Sequence, residues 1–224
     1  MKIFFLVFTI VVFFFPLKQY GQETKKPNVI IILTDDQGYG DVGFNGNKQL
    51  KTPNLDQLAK NGVIFTNGYV SYAVCGPSRA GIITGRYQDK FGYSRNPLFA
   101  PKDGSLGLPL EEETIAESLK SGGYKTMAIG KWHLGTHESQ RPLKRGFDEF
   151  YGFRGGARSY MPYDVGNTLE RKEDRLERGF GDFLEHQGYL TDVLAKEAAA
   201  FIEKNRRNPF FVYLSFNAVH TPME

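Results

Sequence analysis

The chain of 224 residues carries 28 lysines and arginines against 25 acidic residues, is 41% apolar and 14% aromatic, and holds one cysteine. Its near-balanced charge excludes an extended basic surface for nucleic acid, and a single thiol excludes a disulfide framework. The aromatic content supports a buried core in one globular domain.

Met1-Lys2 and the apolar run Ile3 to Phe15 read as a signal peptide over residues 1–21, because the run is well short of the roughly 20 residues that span a bilayer. An uncleaved anchor is the alternative, since no small-x-small cleavage site is visible. No cysteine follows the run to suggest a lipoprotein, and no later segment is apolar enough to cross a membrane. Export to a secreted or periplasmic location is expected, without stable membrane insertion once the signal is cleaved. The mature chain would start near Gln22 and, without Lys2 and Lys18, would have 26 basic and 25 acidic residues.

Asn28 to Leu33 is a continuous β-branched and apolar run, the pattern of a strand buried on both faces of a parallel sheet. It ends at Asp35-Asp36. Two adjacent carboxylates there suit either a cation or a simple capping turn, and ligands of open α/β sheets bind beyond the carboxyl ends of strands. A short helix is predicted from Thr52-Pro53-Asn54-Leu55 to Lys60, with Leu55, Leu58 and Ala59 on one face and Asn61-Gly62 as its stop, followed by a strand from Val63 to Thr66.

The only cysteine lies in Cys75-Gly76-Pro77-Ser78-Arg79. Proline suits the first turn of a helix, so Cys75 falls at a helix N-terminus, where backbone N–H groups favour negative charge, with Arg79 one turn on. That helix should end near Gly85-Arg86. Residues 88–110, rich in Gly, Pro and aromatics, read as a long surface connection.

Glu111 to Ser121 is predicted as a helix with acids in its first turn. A strand follows from Tyr124 to Ile129 and leads to Lys131 and His133, an anion-binding pair or ordinary surface groups. Gly135 to Gly188 shows no clean period and reads as an irregular insertion. In it Arg154, Arg158, Tyr160 and His186 are either contacts for a polyanionic substrate or solvated surface. Thr191 can cap a helix to Asn205 whose stripe is Leu190, Leu194, Ala198, Phe201 and Ile202. Pro209 to Phe216 is a last buried strand, delivering Asn217, His220 and Pro222 to its end. The elements together predict an α/β fold, a mostly parallel mixed sheet flanked by helices.

Four strings also carry a resemblance. Cys75-Gly76-Pro77-Ser78-Arg79 with Ile83-Thr84-Gly85-Arg86 resembles the signature of the formylglycine-dependent sulfatases. Asp35-Asp36, the run from Gly123 to His133, and Asn217-x-x-His220-x-Pro222 look like that family's other motifs, in the same order, so the resemblance runs from Pro27 to the end. It implies an alkaline phosphatase/sulfatase-like fold and conversion of Cys75 to 3-oxoalanine (formylglycine) by a formylglycine-generating maturation enzyme. It implies one divalent cation, Ca2+, on Asp35, Asp36 and position 75.

By the same resemblance, the hydrated aldehyde at position 75 would attack sulfur, and its second hydroxyl would then expel sulfate. Arg79 and Lys131 would stabilise charge on the transferring group, His133 would act as base in the elimination, and His220 would serve the leaving oxygen. Strings at 146–152 and 155–160 look like those of N-acetylgalactosamine-sulfate hydrolases, which favours a sulfated, galacto-configured sugar or glycan as substrate. Members of the family are commonly much longer. Residues 22–224 are therefore expected to be the N-terminal part of a sulfatase catalytic domain, incomplete at the C-terminus and inactive alone. The alternatives are a phosphonate or phosphodiester hydrolase of the same superfamily and a non-catalytic, truncated sulfoglycan-binding fragment.

Overall fold

The computed structural model describes residues 25–162 and 174–222. The predicted signal peptide lies outside them. Strands β1 (Val29–Leu33), β2 (Lys125–Lys131), β3 (Glu149–Phe153), β4 (Leu176–Arg178), β5 (Asp182–Leu184) and β6 (Phe210–Ser215) form one sheet in the order β1-β6-β2-β3-β4-β5. The first four in that order are parallel, and β4 and β5 add an antiparallel hairpin at the far edge. The described α-helices are α1 (Pro53–Asn61), α2 (Cys75–Thr84), α3 (Ile115–Ser121) and α4 (Leu190–Asn205), joined by five short 3-10 turns. None of the described helices is long and apolar enough to cross a membrane.

Period-2 alternation divides the core between the two faces of the sheet. Met127, Ile129, Phe210, Val212 and Leu214 pack with Leu190, Leu194, Ala198 and Phe201 of α4 on one face. Ala128, Phe150, Phe211 and Tyr213 pack with Ala80 and Ile83 of α2 and Ala116 of α3 on the other. Central strand β6 is covered on both sides, so all six of its residues are buried. The apolar stripe predicted for α4 faces the sheet, although Tyr189 and not Thr191 occupies its N-cap.

Strand β1 departs from the sequence reading. It is an edge, and only Val29, Ile31 and Leu33 pack on the core, whereas Ile30 and Ile32 are 45% and 55% exposed. They sit in register with Val212 and Leu214, on the face that α4 covers further along the sheet. Two other predictions fail nearby. Val63 to Thr66 forms no strand, and α1, though helical where expected, buries none of its residues.

Helix α3 is shorter than predicted. Thr114 caps it by accepting the Glu117 N–H, and Glu117 returns to the Thr114 N–H, so the acids at 111–113 precede the helix and are not its first turn. The described part of the stretch from 135 to 188, residues 135–162 and 174–188, is also more regular than its lack of period suggested. It contains β3, β4 and β5, of which β3 pairs with β2 from Met127↔Glu149 to Lys131↔Phe153. Gly152 permits that pairing at close range, because a Cβ there would overlap the backbone of Gly130.

Candidate active site

The sheet order β1-β6-β2 sets three carboxyl ends side by side. Asp35, Asn217 and His133 each lie two residues beyond their strand. The extensions of β1 and β6 are cross-linked by Asp35 N–H to Ala218 O and Val219 N–H to Asp35 O, both at 2.8 Å. Arg79, 1% exposed on the first turns of α2, reaches under these ends. Its Nη1 donates to Lys131 O at 3.0 Å and to Ser215 Oγ, and its Nη2 lies 3.3 Å from Asp35 Oδ1. Lys131, the last residue of β2, places Nζ on the other carboxylate oxygen, Asp35 Oδ2. One buried carboxylate thus faces two buried cations. Burial, and then the Arg79 charge, push the Lys131 pKa down, while Asp35 opposes both effects.

Cys75 stands at the N-terminus of α2 with Val74 as N-cap, where the backbone N–H groups of Val74, Cys75 and Gly76 lack helical partners and Pro77 has none to offer. Its Sγ lies 3.2 Å from His133 Nδ1 and 3.5 Å from Asn96 Oδ1. It also lies between two open concavities. One, of about 470 Å3, is lined by Asp35, Asp36, Gln37, Ser78 and Arg79 as well as Cys75. The other, of about 300 Å3, is lined by Cys75 with Asn96, His133, Arg154, Asp174 and His220.

His133 is 8% exposed, and burial, then the charges of Lys131 and Arg79, push its pKa down to about 3. Its imidazole is therefore neutral at physiological pH, with one ring nitrogen a hydrogen-bond acceptor. His133 and Asp36 are also the two described non-glycine residues with positive φ, at 54° and 57°. Conformations of this kind cluster at functional sites, where surrounding structure enforces them.

His220 lies 3.6 Å from Asp36 Oδ2 through its Nε2. Its loop is held by Tyr160, whose hydroxyl donates to Asn217 O at 3.1 Å and His220 O at 2.7 Å, and whose ring stacks on Tyr189. Of the four residues named for a polyanion, only Arg154 lines the site, and it is already paired with the buried Glu177 at 3.0 Å. Arg158 and His186 are buried away from it, with Arg158 bound to Glu185 and to Asp174 O. Those contacts make Arg158, Tyr160 and His186 internal supports, not solvated surface. Sequence reasoning missed Asn96. An Asn-Pro pair in a long loop was its only signal.

Buried His186 has a pKa pushed down by burial and by Arg158, with Glu185 acting oppositely. The unfolded chain takes up a proton near pH 6.5 and the folded chain does so only at lower pH. Its contribution to stability is then complete above pH 6.5 and is lost as pH falls towards the folded value. Replacing His186→Phe is expected to flatten the loss of stability between pH 7 and pH 5. Chemical denaturation at several pH values measures the difference, and parallel curves for the two proteins would reject it.

The donor chemistry of the first concavity fits a hard cation, because Asp35 and Asp36 put carboxylate oxygens on it next to position 75. The set is partial. Among the described residues no three His, Cys, Asp or Glu side chains cluster to hold a metal, and two carboxylates offer at most about four of the six to eight oxygens calcium takes.

An open, mostly parallel α/β sheet that gathers carboxylates, cations and imidazoles around one side chain at its strand ends defines a protein of the alkaline phosphatase-like class. Residues 27–224 match the pattern of the Sulfatase family, and the chain belongs to that family. The N-acetylgalactosamine-6-sulfatases of Mus musculus and Homo sapiens are each 35% identical to it, over 88% of this chain and 40% of theirs. The chain thus spans about 40% of the length of these curated relatives.

Among solved structures, Ps i-CgsB in complex with k-i-k-neocarrahexaose superposes with a TM-score of 0.81 at 41% identity, covering 89% of this chain and 47% of that one. BT4656 in complex with its substrate D-glucosamine-2-N,6-O-disulfate superposes with a TM-score of 0.68 at 29% identity, covering 88% of this chain and 35% of that one.

Proposed function

We propose that this chain forms the nucleophile-bearing part of a sulfuric ester hydrolase that removes sulfate from a sulfated sugar, working outside the cytoplasm. The observation that carries the proposal is Cys75 at a helix N-terminus, 3.2 Å from a neutral imidazole and between two concavities. In the family pattern that cysteine becomes formylglycine. Once formed and hydrated, that group supplies a hydroxyl nucleophile and a second hydroxyl on the same carbon, and a divalent cation held partly by Asp35 and Asp36 supplies positive charge at the sulfuryl oxygens.

This chain's own residues do the rest. The dipole of α2 at its N-terminus and the buried cations Arg79 and Lys131 are fixed before substrate arrives, so they stabilise developing negative charge without reorganising. Asp35 keeps those two cations together and oriented. His133, neutral and beside position 75, accepts the proton of the hydroxyl that remains there after sulfuryl transfer. His220 lines the second concavity with position 75, which makes that concavity the leaving-group side. His220, whose Nε2 lies 3.6 Å from Asp36 Oδ2, would serve the departing sugar oxygen on that side.

Substrate class follows from the relatives and from chemistry. The two curated relatives above are named N-acetylgalactosamine-6-sulfatases, and the two solved neighbours are complexes with sugars. A sugar leaving group also suits a concavity lined by polar side chains such as Asn96, Asp174 and His220. The test is a protein spanning the full length of the relatives, matured with the formylglycine machinery and offered a panel of sulfated sugars and a simple aryl sulfate. Sulfate release from a sulfated galactose or N-acetylgalactosamine at least as fast as from the aryl sulfate is expected. Turnover of the aryl sulfate with no sugar turned over would reject the sugar assignment.

A further inference from the structure

We propose that Asn96 is a positioning residue that holds position 75 in its hydrated form, an inference that rests on the formylglycine reading above. The loop of residues 88–110 turns back over the N-terminus of α2. There Asn96 Oδ1 accepts the Gly76 N–H at 2.8 Å and lies 3.5 Å from Cys75 Sγ. Because a backbone N–H must donate to it, the atom facing Cys75 is the amide oxygen and not the amide nitrogen. Packing fixes the same arrangement. A Cβ on Gly76 would come within 2.8 Å of Asn96 Oδ1 and 2.9 Å of Pro97 Cδ, so the loop seats directly on the first turn and only glycine fits beneath it.

Sγ stands in for an oxygen carried by the same carbon after conversion. In the aldehyde that oxygen is an acceptor only, and it would face the lone pairs of Asn96. Addition of water puts its oxygen on the carbonyl carbon and a proton on the carbonyl oxygen, with no change of oxidation state, and leaves two O–H donors. An acceptor at this place therefore favours the diol over the aldehyde. His133 Nδ1 at 3.2 Å provides a second, chemically different partner. Both partners surround the one Sγ position, so a hydroxyl placed there is held between an amide oxygen and an imidazole nitrogen, which orients the group before substrate binds.

The experiment uses the full-length matured protein, with conversion at position 75 measured by mass, and compares Asn96→Leu, which keeps bulk but removes the acceptor, with Asn96→Asp, which keeps it. Only the free aldehyde reacts with an aminooxy probe, so the labelling rate of the folded protein, normalised to labelling after unfolding, reports the aldehyde fraction. Asn96→Leu is expected to label about five- to tenfold faster, the effect of one lost hydrogen bond, and to lower kcat more than it changes KM. Asn96→Asp is expected to stay within about twofold of the parent in labelling. A purely structural role would lower Tm in Asn96→Leu without changing normalised labelling, and that result would overturn the proposal. Equal labelling of the Leu and Asp variants would also overturn it, leaving the sulfatase reading intact. A parent protein whose position 75 stays a thiol would overturn both.

Discussion

Replacing Asp35→Ala is expected to destabilise the fold by about 3–5 kcal/mol, because it strips the counter-charge from two buried cations at once. The side chains of Asp35, Arg79 and Lys131 are 5%, 2% and 0% exposed, so water cannot take over the lost interactions. Against a total stability of about 5–15 kcal/mol, this is enough to leave a substantial fraction unfolded in warm conditions.

The mechanism makes the effect separable from simple loss of packing. Burial already pushes the Lys131 pKa down. Without Asp35 it falls further, so the variant's deficit should shrink as pH rises towards 9 and Lys131 sheds its proton in the folded state. Adding Lys131→Met to Asp35→Ala should recover part of the loss, the signature of a coupled pair. Denaturation at pH 7 and pH 9 for the single and double variants measures both effects. A fall of less than about 1 kcal/mol on Asp35→Ala alone would show that the triad is not the unit described here.

Much of the site's placement was legible because it follows from local grammar. A β-branched run that stops before Asp35, a run read from Tyr124 to Ile129 that leads to Lys131, and an apolar run read from Pro209 to Phe216 announce three strand ends. Parallel strands with right-handed crossovers then bring such ends to one edge. Cys75 at a helix start follows from Pro77 and Gly85. What stayed hidden depended on partners far away in sequence. Nothing local in Ile30 and Ile32 reveals that β1 is an edge, and Val63 to Thr66 has strand composition but no strand to pair with. The β3 strand contains Gly152, which weakens any propensity signal, yet the residue is what lets β3 approach Gly130. Asn96 and Tyr160 act through single hydrogen bonds across the fold, to Gly76 and to the carbonyls of Asn217 and His220. No periodicity encodes such contacts.

Cys75→Ala is expected to abolish sulfate release in the matured full-length protein, by about 10^4-fold or more, while changing stability by no more than about 0.5 kcal/mol. The two halves of that expectation have separate physical sources. Cys75 is only half-buried, its Sγ meets just His133 and Asn96 by hydrogen-bond distance, and it opens onto concavities on two sides, so removing sulfur creates no enclosed void. The chemistry, in contrast, has no substitute nucleophile at that place. Peptide mass on active protein should show position 75 lighter by about 18 Da, the change from CH2–SH to CHO.

Cys75→Ser sharpens the test. A serine hydroxyl would occupy the same position beside His133 but would lack a second hydroxyl on the same carbon. His133 would then have no proton to remove for expulsion of sulfate, so this variant should release at most one equivalent of the sugar alcohol and then stop. A Cys75→Ser protein that is not converted and yet turns over repeatedly would sink the two-hydroxyl mechanism. Loss of activity in Cys75→Ala accompanied by a large fall in Tm would instead make the cysteine a packing residue.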